Sequence, residues 1–558
     1  MNLSLPPERA EGGSEIRMKA SRIISVLLTV SLTVNFCGCS GPFDFGKKEI
    51  KEFTAYFDME GTKLAARNDI QQIIAEKTGA LCHETWKDPN RPEAETVKEM
   101  IVSRRYPDFI YGGTAQQELL EANALVPINE FWDGYENLQN YLTPEEWDRL
   151  KDENGFIHYI PVFSKVHIRE TDPEYSGEAF WVQAKVLEWG GYPDLRTPDQ
   201  YFDLIERYLK ENPENENGAK NIGYGILTDG SSSFCLENPP QFLDGYPNDG
   251  CCIVNAQTMT AVDYNITPTA VKWFKKLNEE YHKGVIDPDF AFMSSKQYFD
   301  KIRSGTVLGM VDQHWNFKGA ESELPADCRY IPFDLVIDEK LTPCYRSPVA
   351  LDSSQGIAVT VDCDDIDAAL KFLDDLLSPE ILNLRFWGVE GQDYHRDDAS
   401  GKFYRDDKQK SRSFSAEYSA GHFCSYPCFP YYSGMNLDGI NTYRPQDAPE
   451  EYSSTVSGSV KKCLEAYGAD TPSDLIRSNI ENAPWFPMWT YTNTFTDATR
   501  RGQAMKAMNN VKQRYLPEVI MSDDFETSWE EYMEAYRACD TNVFFDELTS
   551  EIRRRAGK

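Results

Sequence analysis

The chain has 558 residues, 57 of them basic and 90 acidic, for a formal net charge of −33. That much negative charge excludes nucleic acid as a partner and excludes electrostatic docking on anionic lipid. The length exceeds what one core supports, so two or three lobes are expected, and the 13% aromatic content leaves some rings exposed for a purpose.

The first element is an export signal. Arg17, Lys19 and Arg22 precede an apolar run from Ile23 to Phe36, interrupted only by Ser, Thr and Asn35. A basic segment, an apolar segment and small residues at its end are the parts of such a signal. The run is too short to cross ~30 Å of hydrocarbon at 1.5 Å per residue. Phe36-Cys37-Gly38-Cys39 resembles the lipobox of bacterial lipoproteins, although Phe36 and Cys37 replace the usual Leu and Ala or Ser. The resemblance implies that Cys39 is lipidated and begins the mature chain; the alternative is an ordinary signal peptide that releases the protein. Met18 makes a more conventional start than Met1, so residues 1–38 are set aside from the fold. A tether at 39–48 follows.

Ile50–Asp58 alternates as a strand, broken by Gly61, and Thr62 is expected to cap a helix over Lys63–Lys77. Leu81–Trp86 reads as a second strand. Ala94–Arg105 has helical spacing, with Val97, Met100 and Ile101 as its apolar stripe. Tyr106–Tyr111 is a third, buried strand that ends at Gly112-Gly113. This alternation predicts parallel βαβ units, whose ligands gather beyond the carboxyl ends of the strands. Further along, helices are expected over Val182–Trp189, Tyr201–Leu209, Ala270–Lys283, Asp365–Leu377 and Phe525–Ala538. A buried strand is expected at Val307–Val311.

Two stretches invite a metal reading. His422, Cys424 and Cys428 lie close together, but Pro427 and its aromatic neighbours suggest a rigid loop, and no second pair has zinc spacing. The remaining eleven cysteines after Cys39 are odd in number and lack a framework spacing, which suggests free thiols and a low-oxygen habitat.

Several segments in order resemble the extracellular solute-binding proteins of ABC importers, family 1, in particular the sugar-binding lipoprotein group. They are YPDFIYGG, ALVPINEFWD, DENGFIHYIPVF, LNEEYHKGVIDPDF with FDKIRSGTVLGMV, and LDDLLSPEILNLRFWGVEGQDY. The closing VKQRYLPEVIMSDDFETSWEEYMEAYR also resembles the last helices of that group. The resemblance implies an α/β, two-lobed, periplasmic-binding-protein-like (type II) fold with an interlobe cleft and a C-terminal helical extension. The expected division is 49–163 plus about 305–365 for the N-terminal lobe, 164–304 plus about 366–490 for the C-terminal lobe, and 491–558 for the extension. Long members often carry a calcium loop. Here that stretch reads NPENENGAKNIG, with Pro213 and Asn221 where acids belong. A structural loop is therefore expected and no cofactor, with Asn215, Asn217 and Asn221 as a weak calcium candidate.

The function the resemblance implies is capture of a carbohydrate, an oligosaccharide by expectation, at the outer face of a bacterial cell membrane. The partners would be ABC permease subunits, the protein being a monomer anchored by its lipid. A sugar needs aromatic platforms with carboxylates and amides in a concave cleft. On that ground the candidates are Asp58, Glu60, Tyr111, Phe163, His314, Trp315, Tyr394, Trp485 and Trp489. Each also has a plain structural reading: Asp58 and Glu60 as turn acids, the rings as core. No catalytic elbow, P-loop, dinucleotide glycine pattern or H-E-x-x-H motif is present, so no enzyme is expected. A glycoside hydrolase and the binding part of a membrane sensor are the alternatives.

Overall fold

The computed structural model describes residues 50–61, 64–162, 173–247, 249, 251–346, 351–456, 458–478 and 483–557. The expected signal, tether and Cys39 lie outside these, as does Phe163. Among the described residues no helix is long and apolar enough to cross a membrane.

Eight strands of the described residues form two sheets: β1 (Lys51–Phe57), β2 (Ala80–Trp86), β3 (Phe109–Tyr111), β4 (Glu178–Gln183), β5 (Ile222–Gly225), β6 (Val307–Gln313), β7 (Tyr330–Phe333) and β8 (Ile357–Val359). The first sheet has the order β8-β3-β1-β2. β1 runs parallel to both β2 and β3, with Lys51 opposite Ala80 and Ala55 opposite Phe109, as the βαβ pattern predicted. β8 closes this sheet antiparallel to β3, Ile357 facing Tyr111. In the second sheet the order is β5-β6-β4-β7; β5 and β6 are parallel, and β4 is antiparallel to β6 and β7. β6 is buried on both faces along VLGMVD, the continuous pattern of a covered parallel strand. Gly309 within it is required: a Cβ there would overlap the Tyr201 hydroxyl, which donates to the Trp181 carbonyl at 2.8 Å.

Two hydrophobic cores result. The first is built from residues 53–162, 357–381 and 424–429, the second from 175–345 and 460–552. The lobe boundaries therefore differ from those expected. Residues 307–333 belong to the second lobe, because β6 and β7 both pair with β4. The helix Ile366–Leu376 belongs to the first, where Phe372 packs 6.0 Å from Phe53. The C-terminal helices Arg500–Met521, Phe525–Arg537 and Thr541–Arg555 pack into the second core, with the Trp529 ring tilted against Phe274 at 5.8 Å.

Local differences have simple causes. The first helix starts at Asp69, six residues later than expected, and the Asn68 side chain caps it, accepting from the Gln71 N–H at 3.0 Å; Thr62 lies outside the described residues. Val182 falls in β4, and the helix predicted there begins at Ala184.

Candidate functional site

One side chain organises the wall of the main groove. Arg385 ends the helix Pro379–Phe386 and is 1% exposed. Its Nε donates to the Ser425 carbonyl at 2.8 Å, and its two Nη groups donate to Leu376, Pro430, Tyr426 and Phe429 at 2.8–3.3 Å. Four of these five bonds pin the Pro-rich segment 423–431 by its backbone, and the fifth ties it to Leu376. Burial lowers the guanidinium pKa to about 10. Behind it, burial pushes the Glu84 carboxyl up to about 7 against the pull of Arg385, and Glu84 Oε1 lacks a hydrogen-bond partner among the described residues.

In front of this wall lies a groove of about 510 Å³ at the boundary of the two lobes. It is lined by Phe386, Phe414, Phe423, Tyr431 and Tyr452, of which Phe423 packs on the first core, and by the ion pair of Lys318 with Glu174, Lys318 coming from the second lobe. Phe414 is 69% exposed at the cap of the helix Asp407–Ser413, an open aromatic face that no core position would leave in water. Arg405 and Arg444 also line the groove. Arg444 grips Asp447 through two bonds of 2.6 and 2.8 Å and lies 5.5 Å over the Tyr431 ring. Arg385 sits 5.3 Å over Phe386. Flat rings, guanidinium groups and hydroxyls from Ser413, Ser419 and Ser425 are a surface that can hold a polar ring with apolar faces.

A smaller cavity of about 90 Å³ adjoins the groove and shares Glu174, Tyr452 and Thr455 with it. His314 is found here, hydrogen-bonded to Glu321 at 2.8 Å and stacked on Trp181 at 5.2 Å. Burial alone would raise the Glu321 carboxyl; His314 and the Tyr330 N–H outweigh it and hold it below the usual range.

Of the other expected residues that are described, none lines the groove. Asp58 is buried at 7% exposure and accepts from the Tyr56 hydroxyl at 3.0 Å and the Ala94 N–H at 2.7 Å, which makes it the lock of the β1 end. Glu60 is exposed beyond it. Tyr111 is buried in the first core, and burial raises its phenol. Tyr394 is buried between Trp387 and Phe403, a packing residue rather than a platform. Trp315 is 59% exposed beyond β6, with its ring 6.1 Å from Phe234. Trp485 and Trp489 are half-buried in the second lobe; the Trp485 carbonyl accepts from Arg555 at 3.0 Å, and Asp249 caps the Trp489 N–H at 3.1 Å. Four residues on, Asn493 Nδ2 donates across to Ser354 Oγ of the first lobe at 3.2 Å.

The side chains of both metal readings are engaged with protein groups. His422 turns to Asp393 at 2.8 Å and Asp69 at 3.2 Å rather than to the cysteines. In the calcium-like loop, Asn215 Oδ1 accepts from the Asn217 and Ala219 N–H groups at 3.0 and 2.9 Å. Asn221 Nδ2 donates to Asn212 at 2.9 Å, and its Oδ1 is buried without a partner among the described residues. No group of three His, Cys, Asp or Glu side chains suited to a metal occurs among the described residues. The sequence signal for the groove was the run RSFSAEYSAGHFCSYPCFPYY, as aromatic and Pro-stiffened as the segment that held Trp485.

No protein-family model matches the sequence, and no curated protein sequence matches it. Solved structures do resemble it. The substrate-binding protein FusA of an ABC transporter of Streptococcus pneumoniae, in complex with fructo-nystose, aligns with a TM-score of 0.65 and 16% identity over 91% of this chain and 100% of its own. An HMO-binding solute-binding protein of Bifidobacterium longum infantis gives 0.62 and 12% over 90% of this chain and 98% of that one. The N-glycan transport solute-binding protein NgtS of S. pneumoniae, in complex with Man1GlcNAc, gives 0.55 and 14% over 91% and 100%. At these identities the likeness establishes the fold: this chain has the two-lobed α/β fold of the ABC-importer solute-binding proteins.

Proposed function

We propose that this chain is the extracellular substrate-binding protein of an ABC importer, that it captures an oligosaccharide between its lobes, and that it delivers the sugar to the transmembrane subunits. The observation that carries this reading is the interlobe groove of about 510 Å³, floored by aromatic rings, in a fold whose structural neighbours hold fructo-nystose and Man1GlcNAc. Closure of two lobes around a ligand is the motion such an architecture supports. The chain would work without chemistry of its own, held to the outer face of the membrane by lipid on Cys39.

Thermal melting against oligosaccharides, monosaccharides and peptides tests the reading. A ligand at 100 times its Kd adds ~2.7 kcal/mol to the native state, which raises the midpoint of a chain this size by roughly 2–5 °C. A shift with one glycan class, the glycan recovered intact, supports the binder; recovery of cleaved glycan replaces it with a hydrolase; a shift with peptides alone overturns the sugar. Labelling with a fatty acid that persists in Cys39→Ser would overturn the anchor.

A further inference from the structure

The groove is charged opposite to the protein that surrounds it. Across the chain acids outnumber bases 90 to 57, yet the ionised side chains lining the groove are Lys318, Arg385, Arg405 and Arg444 against Glu174 and Glu451. The partners of these cations differ in kind. Lys318 and Arg444 are matched by Glu174 and Asp447. Arg385 is buried and bonded only to carbonyl oxygens, so its charge has no paired carboxylate. Glu84, whose carboxyl feels the pull of Arg385, is pushed up to about 7 by its own burial. Arg405 donates Nε to Glu451 at 3.1 Å and one Nη to Ser413 Oγ at 3.2 Å. Its second Nη makes no hydrogen bond among the described residues and is open to the groove rather than buried.

We infer that the groove selects sugars bearing an anionic substituent, a ring carboxylate or a sulfate, and that Arg405 is the residue that reads it. This rests on the carbohydrate reading above and narrows its substrate class. An anion is the group that a net-positive groove favours and that an acidic protein surface otherwise repels. A guanidinium with one unused Nη pair, oriented by a carboxylate and a hydroxyl, is suited to a carboxylate or sulfate oxygen. The rings of Phe386, Phe414 and Tyr431 supply the apolar face such a sugar also needs.

Matched pairs test this directly. Trimers of galacturonate, glucuronate and mannuronate are titrated by calorimetry against their methyl esters, and 6-sulfated N-acetyllactosamine against the unsulfated sugar, at 50 mM and 500 mM salt. The expected result is at least tenfold tighter binding of the charged member of one or more pairs, with the margin shrinking at high salt. The uronate and sulfate arms say which anion is meant. Arg405→Gln should bring the charged-to-neutral ratio of that pair to near one, and Arg405→Lys should keep part of it. If Arg405→Gln fails to fold, Lys318→Gln, at the other wall, should lower the ratio severalfold. Neutral glycans that bind as tightly as their charged partners would overturn the inference and leave the carbohydrate reading standing. If no glycan of either kind binds, both readings fall.

Discussion

Replacing Arg385 with methionine should cost the protein about 3–5 kcal/mol, the balance of five orphaned carbonyls against relief from burying an unpaired guanidinium. The substitution keeps the volume of the stem but deletes five hydrogen bonds to the carbonyls of Leu376, Ser425, Tyr426, Phe429 and Pro430. Leu376, Tyr426 and Phe429 are fully buried, so water does not replace the lost donors in the native packing. Each orphaned carbonyl costs about 1–3 kcal/mol; relief from burying an unpaired guanidinium offsets several kcal/mol of that sum. Arg385→Lys offers three donors in place of five and should fall between. Urea unfolding followed by tryptophan fluorescence measures the loss, and hydrogen exchange of the 423–431 amides locates it. A loss under about 1 kcal/mol, within the usual range of surface substitutions, with exchange of those amides unchanged, would refute the view that Arg385 pins the groove wall.

Three other outcomes follow from contacts elsewhere. Lys512 and Glu237 form a buried ion pair in the second lobe, so Lys512→Met alone should cost about 3–5 kcal/mol, and adding Glu237→Leu should recover most of it; a double variant as unstable as the single one contradicts this. Gly309→Ala should destabilise the second lobe by about 1–3 kcal/mol through overlap with Tyr201, with partial rescue by Tyr201→Phe in the same urea assay. Burial alone would lower the His422 imidazole, but Asp393 and Asp69 outweigh it and raise its pKa above 6.5. Its contribution is therefore complete below the unfolded value and is lost as pH rises through the higher folded one. Between pH 6 and 8 the urea midpoint should fall more for the native protein than for His422→Gln, and equal slopes would exclude that origin.

The first lobe was legible because its strands and helices alternate with clear periods: β1, β2 and β3 stand within three residues of where alternation and the Gly112-Gly113 break place their ends. The lobe boundaries were not legible, because nothing local in VLGMV says which of two sheets it joins; β6 is decided by its register against β4, more than 120 residues earlier in the chain. The site was the least legible part. Strand-end logic led to Asp58 and Tyr111, which pack inward, whereas the groove is walled by a segment outside any sheet. The conformation of that segment depends on Arg385, a lone arginine in a helix whose role is set by carbonyls about forty residues ahead.

β8 is only three residues long, yet it reorders how the protein must be assembled. The first sheet waits for a strand that follows the whole of the second sheet in the chain, so a chain emerging from its amino end carries β3 with an unpaired edge until more than 240 further residues have followed. Such an edge is a template for mispairing until it is covered. The equilibrium penalty for so long an excursion is small, since each doubling of a loop adds only ~0.6 kcal/mol; the burden falls on kinetics. A chain ending before residue 357 would thus be an aggregation-prone species rather than a stable half-protein.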